Sequence, residues 1–351
     1  MTRGTITVSL HQLRLALATN HERLLTLGRA YLDSLLAEGH GETHIDVTLD
    51  WDTVLSPDSR ADLEPLGRRL WVGDDRLQHA EIHQVPGLQM EVAWKGSRLV
   101  VRATYAWPNR RTKWLASVIP VIEEKVLVSL IYYLVYFPYT WYLEWSAGWT
   151  LLHASALATP KGGVILSGLP GCGKSTAALA AIGIPGWQIL SDNLLLTDGD
   201  QVFAFPEPVH VDAKARNLIG NLAHLVRPTG RHFSHRRQDF EITPNGRRSS
   251  TRPLALGFLH LGHETAVAAV PPSSAARRLM ANDYLAKEWM AYQETAAAMH
   301  QVWPSVGDQQ RRQQTIETLT LGIPCFDVTI ARDAPVRDEI QQVFRVMLDG
   351  T

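Results

Sequence analysis

Gly168, Gly173, Lys174 and Ser175 stand in the order Gly, four residues, Gly-Lys-Ser, inside the stretch GLPGCGKSTAALA. That spacing reads as a loop that holds a phosphate chain. Gly168, Gly171 and Gly173 let the backbone turn without a Cβ penalty, so amides can converge on one point. Those amides and the N-terminus of the following helix favour negative charge. Lys174 places a point charge on terminal phosphates, and the Ser175 hydroxyl is a natural ligand for Mg²⁺. Leu169, Pro170, Cys172 and Thr176 complete an expected nucleotide-binding set from Gly168 to Thr176. The alternative, a glycine-rich turn with no ligand, does not account for a lysine at 174. ATP and Mg²⁺ are the expected ligands.

Two further positions are chemical candidates. Asp192, in LSDN, lies eighteen residues after Lys174 at the end of an apolar run. If a parallel sheet brings that strand end beside the loop, the carboxylate can bind Mg²⁺ or take a proton from an attacking hydroxyl. The plainer reading is a turn or cap aspartate. His153, in LLHAS, precedes the loop by about one hairpin, and a lone strand histidine is more often structural. The arginine-rich stretch Arg227 to Arg252 lacks apolar periodicity. It reads either as a solvated surface loop or as a mobile loop that closes over phosphates, a role suited to the planar guanidinium fork.

These residues need elements to position them. TLLHASALA, a turn at TPKGG and GVILS read as two strands feeding the loop, with a helix from Lys174 to about Ala181. QILSDNLLLT and RPLALGFLHL read as strands. Ala275 to Val302 and Gln309 to Leu321 read as helices, PCFDVTI as a strand, and Val336 to Leu348 as a closing helix with Asp333 at its N-cap. Before this region, TITVSL is a strand candidate and the leucine spacing over Leu10 to Leu36 suggests a helix. Ile45 to Trp51 alternates as a strand. Leu88 to Trp94 and Leu99 to Trp107 alternate about a KGS turn, the pattern of a β-hairpin. WPNRRTK reads as a polar break. The expected domains are residues 1–140, an α+β recognition or scaffold unit, and residues 141–351, an α/β phosphate-loop unit.

Composition narrows the class. The chain has 351 residues, 45% of them apolar, and a net charge of −1, so no global field favours nucleic acid or anionic lipid. The arginines cluster in one stretch without interleaved aromatics, which speaks against nucleic acid. Of two cysteines, Cys172 sits in the phosphate loop, where a disulfide would obstruct a ligand; a reducing, cytoplasmic location is expected. No signal peptide is expected from MTRGTITVSLHQLRL. The uncharged run Val126 to Leu143 approaches the ~18-residue threshold for a membrane span, but Pro138 and several tyrosines interrupt it. A core helix is expected there, and no span.

At LLHASALATPKGGVILSGLPGCGKSTAALA followed by GWQILSDN, the chain resembles the HPr kinase family and the HPr-kinase-like serine kinases, some of which act in peptide-tailoring gene clusters. The compact order of histidine strand, phosphate loop, short helix and acidic strand end carries the resemblance, over roughly residues 140–351. It implies a phosphate-loop kinase domain of the HPr kinase and PEP carboxykinase-like type. It implies that His153 lies near the transferred phosphate, that Asp192 is the base toward a substrate hydroxyl, and that Arg252 is an active-site arginine before an apolar strand. It also implies a peptide or small-protein substrate and a homo-oligomer. Asn193 departs from the pattern, because the family has a second aspartate there. Asparagine keeps an acceptor oxygen as a metal ligand but loses the charge. The expected activity is Mg-assisted phosphoryl transfer to a serine-type hydroxyl. The alternatives are a nucleotide-binding regulatory module without transfer, a kinase for a free hydroxylated metabolite, and an ATPase coupled to a partner.

Overall fold

The computed structural model describes residues 2–37, 39, 41–212, 215, 222–234, 237–332 and 336–349. The chain forms two compact units. The first comprises Met1–Gly148 and Ala291–Asp308, and the second Trp149–Met290 and Gln309–Thr351. The boundary expected at 140/141 falls inside a helix. The division comes at Gly148, whose φ of 70° ends that helix in the left-handed region.

In the first unit the strands are β1 (Gly4–Leu10), β2 (Leu13–Thr19), β3 (Ile45–Trp51), β4 (Glu64–Pro65), β5 (Leu70–Val72), β6 (Arg76–His79), β7 (Leu88–Lys95) and β8 (Arg98–Tyr105). They order as β1-β2-β3-β8-β7-β6-β5-β4 in one sheet. The helix expected over Leu10 to Leu36 forms only as α1 (Glu22–Tyr31). Leu13, Leu15 and Leu17 alternate with Arg14, Ala16 and Ala18, so the first half obeys period two and pairs with β1 through a turn at His11 and Gln12. The β7–β8 hairpin is as expected, closing Lys95 onto Arg98 around Gly96 and Ser97. WPNRRTK is a helix start rather than a break. Asn109 caps α2 (Arg110–Val118) by accepting from the Thr112 amide at 2.8 Å.

The apolar run continues through Pro138 as α3 (Pro120–Ile131), a π-helical turn (Tyr132–Tyr136) and α4 (Phe137–Ala147). The Phe137 amide reaches back five residues to the Tyr132 carbonyl, so the proline enters where the usual ladder is already shifted. The helix from Pro120 to Ala147 is long and apolar enough to cross a membrane by length and composition, yet 83% of its apolar window is buried inside the protein. Tyr139 donates its hydroxyl to the Val8 carbonyl at 2.8 Å. Tyr292, Ala296 and Met299, in the returning segment, are fully buried, and the Tyr292 ring meets Phe137 at 5.8 Å.

In the second unit the elements run β9 (Thr150–Ala158), β10 (Gly163–Ser167), α5 (Lys174–Ile182), β11 (Gln188–Ser191), β12 (Leu194–Thr197), β13 (Val202–Phe203), β14 (Val209–Asp212), β15 (Val226–Ser234), β16 (Arg237–Ile242), β17 (Ser250–Thr251), β18 (Pro253–Gly262) and β19 (Ala266–Val270). Then come α6 (Pro272–Tyr284), α7 (Lys287–Val302), α8 (Gln309–Gly322), β20 (Cys325–Ala331) and α9 (Val336–Asp349). The unit boundary cuts α7 after Met290. The main sheet orders β17-β13-β12-β9-β10-β18-β20-β19, with β11 also on β9, and β14-β16-β15 form a small antiparallel sheet. Strands β10, β18 and β20 are parallel. Alternating side chains divide between two faces. Val164, Leu166 and Leu259 pack with α5 and α9, while Ile165, Phe258 and Leu256 pack with Leu279 of α6 and Ile316 of α8. The fold is mixed α/β.

Three expectations need correction here. QILSDNLLLT is two strands, because β11 pairs with Ala156 to Ala158 of β9 while β12 pairs with Thr150 to His153. The single helix from Ala275 to Val302 breaks between Tyr284 and Lys287 into α6 and α7. The arginine-rich stretch is largely β15 and β16, with Phe240 and Ile242 buried at alternate positions. Residues 235 and 236 of that stretch lie outside the described residues, as does Asp333, the expected cap of α9.

Candidate phosphate-binding site

The loop leaves β10 after Ser167 and enters α5 at Lys174. Gly168 has φ 154°, and a Cβ there would stand 2.8 Å from both the Leu259 carbonyl oxygen and the Cys172 sulfur. Gly173, at φ 97°, occupies the N-cap position of α5, so the left-handed turn that aims the helix amides at the loop requires glycine. The Cys172 amide donates to the Leu169 carbonyl at 3.2 Å. Leu169 and Pro170 are exposed, while Ser175 and Thr176 are half-buried on the first turn.

Lys174 is only 7% exposed. Its Nζ donates to the carbonyls of Gly168, at 2.7 Å, and Leu169, at 3.4 Å. Burial lowers the pKa of this ammonium, while Cys172, Asp192, Glu288 and Asp283 act to raise it. The lysine is thus folded back onto the carbonyls of its own loop, within electrostatic reach of the Asp192, Glu288 and Asp283 carboxylates.

His153 faces the same place from β9 and is 4% exposed. Burial, followed by the charge of Lys174, lowers its pKa to about 4, against a raising hydrogen bond with the Asn193 side chain. The ring is neutral at physiological pH, and its Nδ1 has no hydrogen-bond partner among the described residues. Such an orphaned buried atom is a mark of a position that a ligand or ordered water completes. Asp192 is buried between β11 and β12. The Ser155 hydroxyl donates to its backbone carbonyl and stands 3.4 Å from its Oδ1. Ser155 pairs in register with Leu166 of β10, so one strand connects the loop to the aspartate. The expected parallel neighbourhood is not what does this. Antiparallel β9 lies between β10 and β11.

Lys174, His153, Asp192 and Asn193 are therefore brought together. Arg252 is not. Its carbonyl accepts from the Gly163 amide at 2.7 Å, and Gly163 pairs with Pro253, at the opposite end of β10 from the loop. Five residues of strand separate it from Ser167, roughly 16 Å at ~3.3 Å per residue. The proline after it fixed the start of the strand, and the strand runs toward the loop from there.

The structure adds residues that the sequence did not single out. Asp283, fully buried at the end of α6, accepts from the His153 amide at 2.6 Å and pairs with Arg312 of α8. Burial pushes the Asp283 carboxyl up, opposed chiefly by Arg312. Arg312 also donates to the Leu151 carbonyl, and its guanidinium lies 3.7 Å over the Trp289 ring. Next to Asp283, the Asn282 amide donates to the Ser167 hydroxyl at 3.2 Å. The one available signal was an acid in the last turn of a helix, where the helix dipole disfavours it.

Among the described residues, no group of three or more His, Cys, Asp or Glu could hold a metal ion. Mg²⁺ needs no such cage, since it keeps waters and takes one or two carboxylates beside substrate phosphates. The Ser175 hydroxyl, the Asp192 carboxylate and the Asn193 amide oxygen are a donor set of that kind.

No family model matches the chain, and no curated protein sequence matches it. A solved structure of the HPr(Ser) kinase/phosphatase from Coxiella burnetii overlaps 57% of this chain and 99% of its own, at 12% identity and a TM-score of 0.28.

Proposed function

We propose that the second unit binds Mg·ATP and transfers its γ-phosphoryl group to a serine-type hydroxyl of a peptide or small protein. The observation that carries this reading is Lys174, buried at the glycine-rich loop, where among the described residues its hydrogen bonds go to the backbone carbonyls of Gly168 and Leu169. The motif order shared with HPr-kinase-like serine kinases supports it, as does His153 Nδ1, which has no hydrogen-bond partner among the described residues.

In this mechanism the loop amides and Lys174 hold the β- and γ-phosphates. Asp192 accepts the proton of the acceptor hydroxyl as its oxygen bonds to the γ-phosphorus, and the bond to the β–γ bridging oxygen breaks, releasing ADP. Ser175, Asp192 and Asn193 would hold Mg²⁺, which when bound would supply charge neutralisation on the phosphates. Neutral His153 lends hydrogen bonding beside the transferred group without adding charge. Asp283 and Arg312 fix the β9 backbone that carries His153. A cytoplasmic, homo-oligomeric protein is part of the same proposal.

Lys174→Ala tests it. Loss of a charge-assisted contact costs about 1.5–3 kcal/mol, so Mg·ATP affinity measured by calorimetry drops roughly 10- to 150-fold. Unchanged affinity, or no Mg-dependent ATP binding by the parent chain, rejects the reading. The second reading, a nucleotide-bound regulator without transfer, is favoured by one observation. Asn193 is engaged with His153, where a second carboxylate would otherwise stand. ATP binding with no transfer to any hydroxylated peptide decides for it.

A further inference from the structure

A cavity of about 400 Å³ opens in the first unit, walled by Leu55 and Trp71 and carrying Arg60, Arg68 and Arg69. Arg60 is held in place from two sides. Its guanidinium lies 4.0 Å over the Trp71 ring, and its Nε donates to Gln78 Oε1 at 3.2 Å. Gln78 is 1% exposed, and its Nε2 is itself committed to Ser59 and Glu91. The Arg60 fork is thereby fixed before any ligand arrives, which cuts the ordering cost of binding. Among the described residues neither Arg60 nor Arg68 pairs with a carboxylate. Arg69 reaches Glu81 only at 3.9 Å, and the Glu81 side chain is 70% exposed. Three arginines thus line the cavity with Glu81 as the acid among its described lining residues, while Arg69 also feels the charge of Glu294. Glu81 also takes a left-handed backbone, φ 52°, at the rim, a strained conformation of the kind found at ligand sites.

The volume exceeds what one phosphate needs and lies in the range of about 300–1,000 Å³ typical of small-ligand pockets. Guanidinium forks match planar carboxylates bidentately. The apolar walls suit a hydrocarbon side chain between such carboxylates. A chain of net charge −1 with no basic stripe suits a short acidic segment better than a nucleic acid. We infer that this cavity binds an acidic peptide segment, with its carboxylates on Arg60, Arg68 and Arg69 and an apolar side chain against Trp71 and Leu55. This site stands whether or not the second unit transfers phosphate.

The test uses the full chain without nucleotide and a fluorescein-labelled Glu-Glu-Leu-Glu-Glu peptide, followed by anisotropy at low salt. Saturable binding is expected, weakened at least tenfold by the Arg68→Glu/Arg69→Glu double substitution and by raised salt. Arg68→Lys, which keeps the charge but loses the fork, should weaken binding less than the double charge reversal does. Lys174→Ala should bind as the parent does, because the phosphate loop is not the site. Absence of saturable binding overturns the inference, as does binding that survives the double charge reversal. Binding lost in Lys174→Ala overturns it too, since the phosphate loop is then the anion site. In the Lys174→Ala chain, displacement of the peptide by an equal concentration of inorganic pyrophosphate also overturns it, because the pocket then reads phosphate.

Discussion

Asp192 and His153 are separated by nearly forty positions in the chain, yet one strand, β9, serves both: His153 belongs to it, and its Ser155 holds Asp192. We expect Asp192→Asn to weaken Mg·ATP affinity less than Lys174→Ala does, while transfer to a serine peptide falls about 10²- to 10⁴-fold, the usual worth of a positioned base. Single-turnover kinetics beside calorimetry separate the two effects. A second residue prediction concerns His21, whose Nδ1 accepts from the Leu24 amide as the N-cap of α1. Burial, then Arg23, lowers its pKa to about 4 from 6.5. The folded value lies below the unfolded one, so the unfolded chain binds the extra proton in that window. The stability contribution is complete above pH 6.5 and is lost as pH falls toward 4. Allowing for solvent screening, the loss is about 1–2 kcal/mol. His21→Asn keeps an N-cap acceptor and should flatten the dependence of the urea midpoint over that range. The turn glycines Gly168, Gly171 and Gly173 were legible from sequence because each takes a positive φ that other residues rarely adopt. Asp283 and Arg312 were not, since their meaning lies in a pairing across 29 positions that no local spacing encodes.

The pair Asp283–Arg312 ties α6 and α8 to the β9 backbone. Asp283→Ala leaves a buried guanidinium without its partner, so we expect a destabilisation of about 3–5 kcal/mol in urea unfolding. Adding Arg312→Leu should recover part of it, and a double-mutant cycle showing simple additivity would sink the pairing argument. Where alternation was unbroken, as in Leu88 to Trp94 and Leu99 to Tyr105, strands were legible. The first half of Leu10 to Leu36 misled because leucines four apart satisfy a helix and a strand equally, and only the intervening Arg14, Ala16 and Ala18 reveal period two. The arginine-rich stretch misled differently. Its charges are partly matched within its own sheet, Arg227 to Glu241 at 2.6 Å, so polarity there did not mean a loop.

For the whole molecule, the apolar helix from Pro120 to Ala147 is satisfied by protein rather than lipid, with Trp141, Tyr139 and Tyr136 fully buried. We therefore expect the protein to fractionate with the aqueous supernatant after high-speed centrifugation without detergent. Recovery only in detergent extracts would contradict this. The order of secondary elements was largely legible, but the division into units was not, because it depends on Ala291–Asp308 rejoining the first unit, far from it in sequence.

That return has a consequence for how the protein is made. His79 meets Thr295 at 2.9 Å, and the Gly307 amide donates to Glu144 at 2.7 Å. A ribosome that has finished residue 148 must add 160 more, to residue 308, before the first unit has its missing pieces. At about 5–20 residues per second that is roughly 8–32 s. Throughout that interval Phe137, Trp141 and their neighbours lack part of their cover. The nascent chain therefore cannot complete its first unit before its second is mostly synthesised, and holdase chaperones have their clearest target in that window.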